Sequence, residues 1–194
     1  MPGLRLFIAV DFSDEVAAAA AEVARQMRRT LDVPGARITW VKSGNLHMTM
    51  KFLGDTAEEL VPEATRAIDV AAARHAPFNV RVRGAGGFPD TRRPRVLWLA
   101  LAEGAAGMAA LAAGVEASLT AAGFAPEARA FSPHLTVARV KAAGRADYAG
   151  ACARVNERDA GSCTIDRVTL YRSELRPDGP VYTSLHESRI GGRA

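Results

Sequence analysis

The order of the apolar segments limits the fold of this chain more than any other feature. Several segments with the alternating pattern of a strand follow one another with only a turn between them, and the predicted order is β-α-β-β-α-β-β-α-β-(α)-β-β. Strands joined by a short turn pair antiparallel, whereas a doubly wound parallel sheet needs a helix between consecutive strands. The sequence therefore predicts an α+β fold with antiparallel sheets.

The first and third helices are marked by their ends. Ser13 suits the N-cap of the first helix, which has acids in its first turn and arginines in its last, and Gly123 ends the third. GAGGF (84–88) is interpreted as a turn or bulge, since Pro89 and Asp90 follow it where a phosphate loop would have a helix. The predicted helices span 14–30, 57–74 and 105–122, with a loop or helix near 145–158. The predicted strands span 4–10, 38–41, 47–53, 78–83, 96–102, 134–140, about 164–173 and about 181–188.

The composition is that of a folded globular protein, with 48% hydrophobic and 24% charged residues among 194. No Gly- or Pro-rich linker divides the chain, so one bilobal domain over 1–194 is expected. No apolar run is long enough to span a bilayer. Two cysteines, Cys152 and Cys163, indicate neither a disulfide framework nor a cysteine zinc site. We therefore expect a monomeric cytoplasmic protein that does not bind membranes.

The basic residues are almost all arginines. The net charge is +4, and only three of the 25 basic residues are lysines. A GC-rich genome would explain that ratio by itself, but the guanidinium group also suits bidentate recognition of phosphate. TRRPR (91–95) concentrates charge in one predicted loop. Arg92 and Arg93 are therefore candidate RNA contacts, and the alternative is an ordinary solvated loop.

The same His-x-Thr spacing occurs in two strand segments, NLHMTMKFLG (45–54) and SPHLTVARV (132–140). Residues two apart in a strand point to the same face, so each histidine shares a face with its threonine. One such pair alone is typical of a half-buried strand. Two pairs in matching contexts, each after a turn and a long helix, indicate an internal duplication and two halves of one site, formed by His47 and Thr49 with His134 and Thr136.

Two further cations lie close to these pairs in sequence. Lys51 is expected on the same face as His47 and would add positive charge there. Arg139 lies at an odd offset from His134, so a regular strand would point it away. We expect Arg139 to reach the site only where the end of that strand bends.

Two imidazoles and two hydroxyls around one cavity suit in-line displacement at phosphorus. A neutral histidine can accept a proton from water while a protonated one donates to the leaving oxygen, because the imidazole pKa lies near neutrality. The threonine hydroxyls can donate to the non-bridging phosphate oxygens. The spacing does not say which histidine is the acid.

Other chemistries find little support. The sequence has no His-x-His, HExxH or GxSxG motif, so neither a two-histidine metal site nor a serine triad is indicated. His75 at a helix end and His186 on a terminal strand have structural explanations. Trp40 and Phe131 are either core residues or stacking contacts for RNA bases.

At these motifs the sequence resembles the 2H phosphoesterase superfamily, which has two His-x-Thr-x motifs, here HMTM (47–50) and HLTV (134–137). Within it, the chain is similar to the bacterial and archaeal RNA 2′,3′-cyclic phosphodiesterases, historically called 2′-5′ RNA ligases. The likeness extends over nearly the whole chain, and it includes RLFIAVDF, WVKSGNLHMTMKFLGD, RPRVLWLAL, FSPHLTVARV and LYRSELRPDGPVYTSL.

The resemblance implies a bilobal fold in which two antiparallel sheets line a pseudo-twofold cleft, with helices outside and with neither metal nor cofactor. It implies hydrolysis of a terminal 2′,3′-cyclic phosphate on RNA, including tRNA fragments, to a 2′-phosphomonoester. His47 would be the proton donor and His134 the proton acceptor, with Thr49 and Thr136 on the phosphate. Three alternatives stay open: 2′-5′ ligation of tRNA halves, hydrolysis of small cyclic nucleotides, and RNA-end binding without catalysis.

Overall fold

Nine strands and four α-helices form within residues 3–177 and 179–192, which are the residues that the computed structural model describes. The strands are Leu4–Asp11 (β1), Ala36–Trp40 (β2), His47–Thr56 (β3), Phe78–Phe88 (β4), Val96–Glu103 (β5), Leu135–Ala143 (β6), Asp159–Ile165 (β7), Arg167–Arg176 (β8) and Gly179–Arg189 (β9). The helices are Asp14–Leu31 (α1), Val61–Ala73 (α2), Ala105–Ala121 (α3) and Tyr148–Val155 (α4). The segment near 145–158, for which the sequence predicts either a loop or a helix, contains α4.

The strands form two sheets in which every pairing is antiparallel. Sheet A has the order β3-β1-β8-β9 and sheet B the order β2-β6-β5-β4-β7. The predicted α+β class with two antiparallel sheets is confirmed. The chain crosses between the sheets, because β2 joins sheet B while β8 and β9 return to sheet A.

Helices cover the outer face of each sheet. Helices α2 and α3 pack against each other and against strands of sheet A, whereas α1 and α4 pack against sheet B. Ser13 caps α1 as expected, since its hydroxyl accepts from the Val16 N–H. Polar contacts join α2 to β9, where Asp69 accepts from His186 at 2.8 Å and from Ser188 at 2.6 Å. His186 thus joins a helix to a strand, in keeping with the structural explanation expected for it.

One predicted strand, near 164–173, is wrong in its extent because it is two strands. The chain changes sheets at Asp166: β7 pairs with β4 in sheet B, and β8 pairs with β1 in sheet A. The Asp166 carbonyl accepts from the Ile190 N–H, which holds the crossing point. No glycine or proline marks the change in sequence, so the local pattern reads as one continuous strand.

The glycines of GAGGF lie inside β4 and not in a turn beyond it. The register of β4 against β5 shifts between Val82 and Ala85, and Gly84 has φ of +103°. The alternative of a bulge is therefore confirmed, and the predicted end of this strand at residue 83 is too early. Gly86 lies under the Trp98 ring, which a Cβ at that position would overlap.

Candidate active site

The two His-x-Thr segments lie on strands of different sheets that approach each other. His47 is the first residue of β3, at the edge of sheet A, and His134 directly precedes β6, inside sheet B. Strands β3 and β6 are in contact across the gap between the sheets. Both histidines are partly buried, and both threonines lie on strand faces that are neither fully exposed nor buried.

The two imidazoles are held in the same way. Nδ1 of His47 donates to the Asn45 carbonyl at 2.8 Å, and Nδ1 of His134 donates to the Ser132 carbonyl at 2.6 Å. Because a carbonyl only accepts, each Nδ1 carries the proton of the neutral ring, and Nε2 is left for chemistry. In the first half, Nε2 of His47 lies 3.1 Å from the Thr49 hydroxyl.

A one-residue bulge follows the threonine in both motif strands. Against β1, Thr49 pairs with Ala9 but Lys51 pairs with Ile8, so Met50 is the extra residue. Against β5, Thr136 pairs with Trp98 but Ala138 pairs with Leu97, so the extra residue lies at the matching position. Each bulge reverses the alternation of side chains beyond it. The matching positions support the predicted duplication.

The first bulge corrects the placement of Lys51. Lys51 lies on the face opposite His47, where it is 4% exposed and bonds Glu116 of α3 at 2.5 Å and the Ala125 carbonyl at 2.8 Å. The prediction that Lys51 shares the face of His47 is wrong, because the bulge turns that position inward. Phe52 takes the place instead, and its ring lies 6.1 Å from that of Phe7 on the cleft side.

The second bulge has the opposite effect on Arg139. It turns this exposed arginine to the face of Thr136. Arg139 was expected to reach the site only where the strand is irregular, and the bulge is such an irregularity. The Arg139 guanidinium is close enough across the cleft to add to the burial that lowers the pKa of His47. Burial raises the pKa of Tyr182, and the charge of Arg139 opposes that rise. Arg139 therefore presents a positive charge to both halves of the site.

Aromatic rings surround His47. The centroid of Phe7 lies 4.9 Å from that of His47, and Tyr182 meets it edge-on at 5.2 Å. Tyr171 stacks on Phe7 at 5.2 Å. Burial among these rings is the largest effect on the pKa of His47 and lowers it. None of these rings is among the site residues predicted from the sequence, although the alternation of RLFIAVDF places Phe7 on one face with Ala9 and Asp11.

A carboxylate opposes that effect at His47. Asp11 pairs with His47 in the β1–β3 register, and its negative charge raises the pKa of His47. The Asp11 carboxylate accepts from the Tyr171 hydroxyl at 2.8 Å and from the Thr169 hydroxyl at 3.2 Å. Two donors thus hold the carboxylate beside the imidazole.

Within the part of the chain that the structure describes, the second half of the site has rings but no such carboxylate. Phe88 meets His134 edge-on at 4.9 Å, and the Trp98 centroid lies 6.5 Å from that of His134. Leu99 faces Leu135, so the next residue of β5, Ala100, takes the position that Asp11 has in the first half. The two histidines therefore share a hydrogen-bond pattern and differ in neighbouring charge.

The remaining candidates lie elsewhere. Trp40 and Phe131 are partly buried and pack against the core. Arg92 and Arg93 are exposed in the loop before β5.

Cys152 and Cys163 are not bonded to each other. Among the described residues, no three His, Cys, Asp or Glu side chains converge as metal ligands, and no helix is long and apolar enough to cross a membrane.

The arrangement has counterparts among known proteins. The family model of the 2′-5′ RNA ligase superfamily matches residues 12–177. The chain belongs to that superfamily. This superfamily member is 33% identical to an RNA 2′,3′-cyclic phosphodiesterase of Methanothermobacter thermautotrophicus, over 96% of this chain and 99% of the relative. It is 32% identical to the protein of the same name from Aquifex aeolicus, over 88% of this chain and 91% of the relative.

Two solved structures share the fold of this superfamily member over nearly its whole length. A Thermus thermophilus protein superposes with a TM-score of 0.78 at 34% identity, covering 98% of this chain and all of that one. Escherichia coli LigT, solved with NADP+, superposes with a TM-score of 0.68 at 26% identity, covering 98% of this chain and 99% of LigT. The bilobal fold expected from the resemblance is thus confirmed.

Proposed function

We propose that this protein hydrolyses the 2′,3′-cyclic phosphate at the end of an RNA to a 2′-phosphomonoester. The observation that carries the proposal is the pair of imidazoles, each fixed through Nδ1 to the carbonyl two residues before it and each two residues before a threonine. Such a pair supplies an acid and a base held in fixed orientation, which is what displacement at phosphorus requires. The names of the relatives point to the same substrate.

The reaction balances with these groups alone. Nε2 of His134 takes a proton from water, whose oxygen attacks phosphorus in line with the 3′ oxygen. The P–O3′ bond breaks, and Nε2–H of His47 protonates the departing O3′. The product is a 2′-phosphomonoester with a free 3′ hydroxyl. Thr49 and Thr136 donate to the non-bridging oxygens, and Arg139 balances the negative charge that these oxygens carry.

The charge beside each histidine supports the division of roles that the family resemblance implies, although burial, the largest effect, lowers the pKa of His47. Asp11 favours the protonated form of His47, whereas Ala100 offers no charge at the matching position beside His134. The acid is the histidine that must hold its proton before reaction, and the bound phosphate anion adds to the effect of Asp11. We therefore assign His47 as the acid and His134 as the base.

Replacing Asp11 tests this assignment. Asp11→Asn keeps an acceptor for Tyr171 but removes the charge, so the pKa of His47 falls further below its ordinary value. With His47 as the acid, the alkaline limb of the kcat/KM profile moves to lower pH and the rate at neutral pH drops. An acidic limb that moves instead would reverse the two roles. An NMR titration of the His47 ring gives the pKa directly.

Product analysis tests the function itself. An oligoribonucleotide with a 2′,3′-cyclic phosphate end is incubated with the protein, and chromatography separates the 2′- from the 3′-phosphorylated product. We expect the 2′-phosphate alone, at an unchanged rate with a chelator present. A 3′-phosphate product would contradict the assignment of O3′ as leaving group, and an unchanged RNA that binds tightly would favour end binding without catalysis.

The alternatives within the same chemistry use other substrates. Incubation with tRNA halves and a search for 2′-5′-linked product tests ligation, which we expect to be minor because water competes as nucleophile.

We propose tRNA fragments among the RNA substrates, and Arg92 and Arg93 as RNA contacts far from the reacting phosphate. We further propose that the protein acts as a cytoplasmic monomer with one bilobal domain over 1–194.

A further inference from the structure

A second concave site lies beyond the far end of β6 from His134. It is a groove of about 500 Å³. The loop between β4 and β5 forms one wall, and the end of β6 with the turn into α4 forms the other. The lining residues are Arg92, Arg93, Pro94, Arg95, Val140, Lys141, Ala143, Gly144, Ala146 and Tyr148.

Every charged residue that lines this groove is a cation. The four are exposed, and none forms an ion pair with a carboxylate of residues 3–177 or 179–192. Several arginines on other surfaces have a carboxylate partner instead, as Arg25 has in Glu22 at 2.6 Å. Asp90, the acid next to the loop, accepts from the backbone N–H groups of Arg92 and Arg93. The side-chain charges of the groove are thus available to an anion.

The groove is connected to the active site through β5 and β6. Thr136 pairs with Trp98, then Arg139 pairs with Val96, and the Arg95 carbonyl accepts from the Val140 N–H at 2.9 Å. At about 3.3 Å per strand residue, Val140 lies roughly 13 Å beyond Thr136. That distance is too great for the reacting phosphate to reach both places. It suits a phosphate further along the same strand of RNA.

We propose that this groove binds backbone phosphates of the nucleotides that precede the cyclic end, so that the enzyme selects RNA chains over cyclic mononucleotides. The inference rests on the proposed function and adds a second anion site to it. Arginine forks and Lys141 recognise phosphate without regard to base. The proposed track is therefore independent of sequence, and its contribution falls with salt.

The test compares two substrates with one double variant, Arg92→Gln/Arg93→Gln. We expect the ratio of KM for a cyclic-ended oligoribonucleotide to KM for a 2′,3′-cyclic mononucleotide to rise about tenfold. The slope of log KM against log salt for the oligonucleotide should weaken by about 1.4, since a single strand contributes about 0.7 per lost phosphate contact. Arg25→Gln/Arg66→Gln removes the same charge from helix surfaces and should leave the ratio at its wild-type value. An unchanged ratio in the groove variant would overturn the proposal.

A binding arm separates failure of the groove from failure of the proposed function. The inert variant His134→Ala is titrated into a fluorescent oligoribonucleotide, with and without the two groove substitutions, and anisotropy is measured. Weaker binding on loss of Arg92 and Arg93 supports the groove even where no hydrolysis occurs. Equal binding rejects the groove whether or not the RNA is cleaved.

Discussion

His47→Ala and His134→Ala should each lower kcat for cyclic-phosphate hydrolysis by about 1,000-fold, within the range that general acid or base catalysis contributes. In the proposed mechanism each variant loses one proton transfer: donation to O3′ in the first case, and activation of water in the second. Both rings are partly buried, and among the described residues they bond only a carbonyl or a threonine, so the fold should be retained. The measurement is single-turnover hydrolysis of a cyclic-ended RNA, with thermal unfolding followed by circular dichroism.

The double variant and a third histidine provide the controls. Because the two proton transfers act in one step, His47→Ala/His134→Ala should be little slower than either single variant. His75→Gln changes a histidine between α2 and β4, outside both motif strands, and should keep wild-type activity. Full activity in either motif variant would remove the basis of the proposed mechanism.

Arg139→Ala should lower kcat/KM about 100-fold, comparable to the loss of one donor to a developing oxyanion. The bulge of β6 brings its guanidinium to the cleft face, where its charge adds to the burial that lowers the pKa of His47 and opposes the rise that burial causes in the pKa of Tyr182. Its loss removes the charge that opposes the negative phosphate. It also raises the pKa of His47, so the alkaline limb of the kcat/KM profile should move to higher pH, opposite to the shift in Asp11→Asn.

Two further variants test whether the effect depends on the charge, the shape and the position of Arg139. Arg139→Lys keeps the charge but loses the planar fork, so its activity should lie between wild type and Arg139→Ala while the titration of His47 stays near that of wild type. Arg83→Ala removes an exposed arginine from β4 of the same sheet, where it lies 3.8 Å from Glu157, and should not change catalysis. Wild-type kcat/KM in Arg139→Ala would show that this arginine does not contact the phosphate.

Much of the site could be predicted because the relevant signals are local. Strand periodicity puts His47 beside Thr49 and His134 beside Thr136, whatever the strands pair with. The repeat of that spacing is visible without a fold. Phe7 and Asp11 were also within reach of the same periodicity, since RLFIAVDF places them on one face of β1.

The corrections share one cause, which is that pairing with a distant strand changes what local alternation predicts. Nothing at Met50 marks it as an extra residue, and only the register against β1 moves Lys51 to the helix side. The same event in β6 brings Arg139 to the cleft. The break at Asp166 is likewise invisible in sequence, because it depends on β7 and β8 having partners in different sheets.

By itself, the sequence determined the antiparallel α+β class and the two His-x-Thr pairs, because strand order and side-chain alternation are properties of neighbouring residues. Only the tertiary structure decided that β2 belongs to sheet B while β8 and β9 belong to sheet A. It also decided that Asp11 lies beside His47, with Ala100 at the matching position beside His134, and that four cations line a groove beyond Arg139. These features depend on registers and loop positions between segments far apart in the chain, which no local pattern encodes.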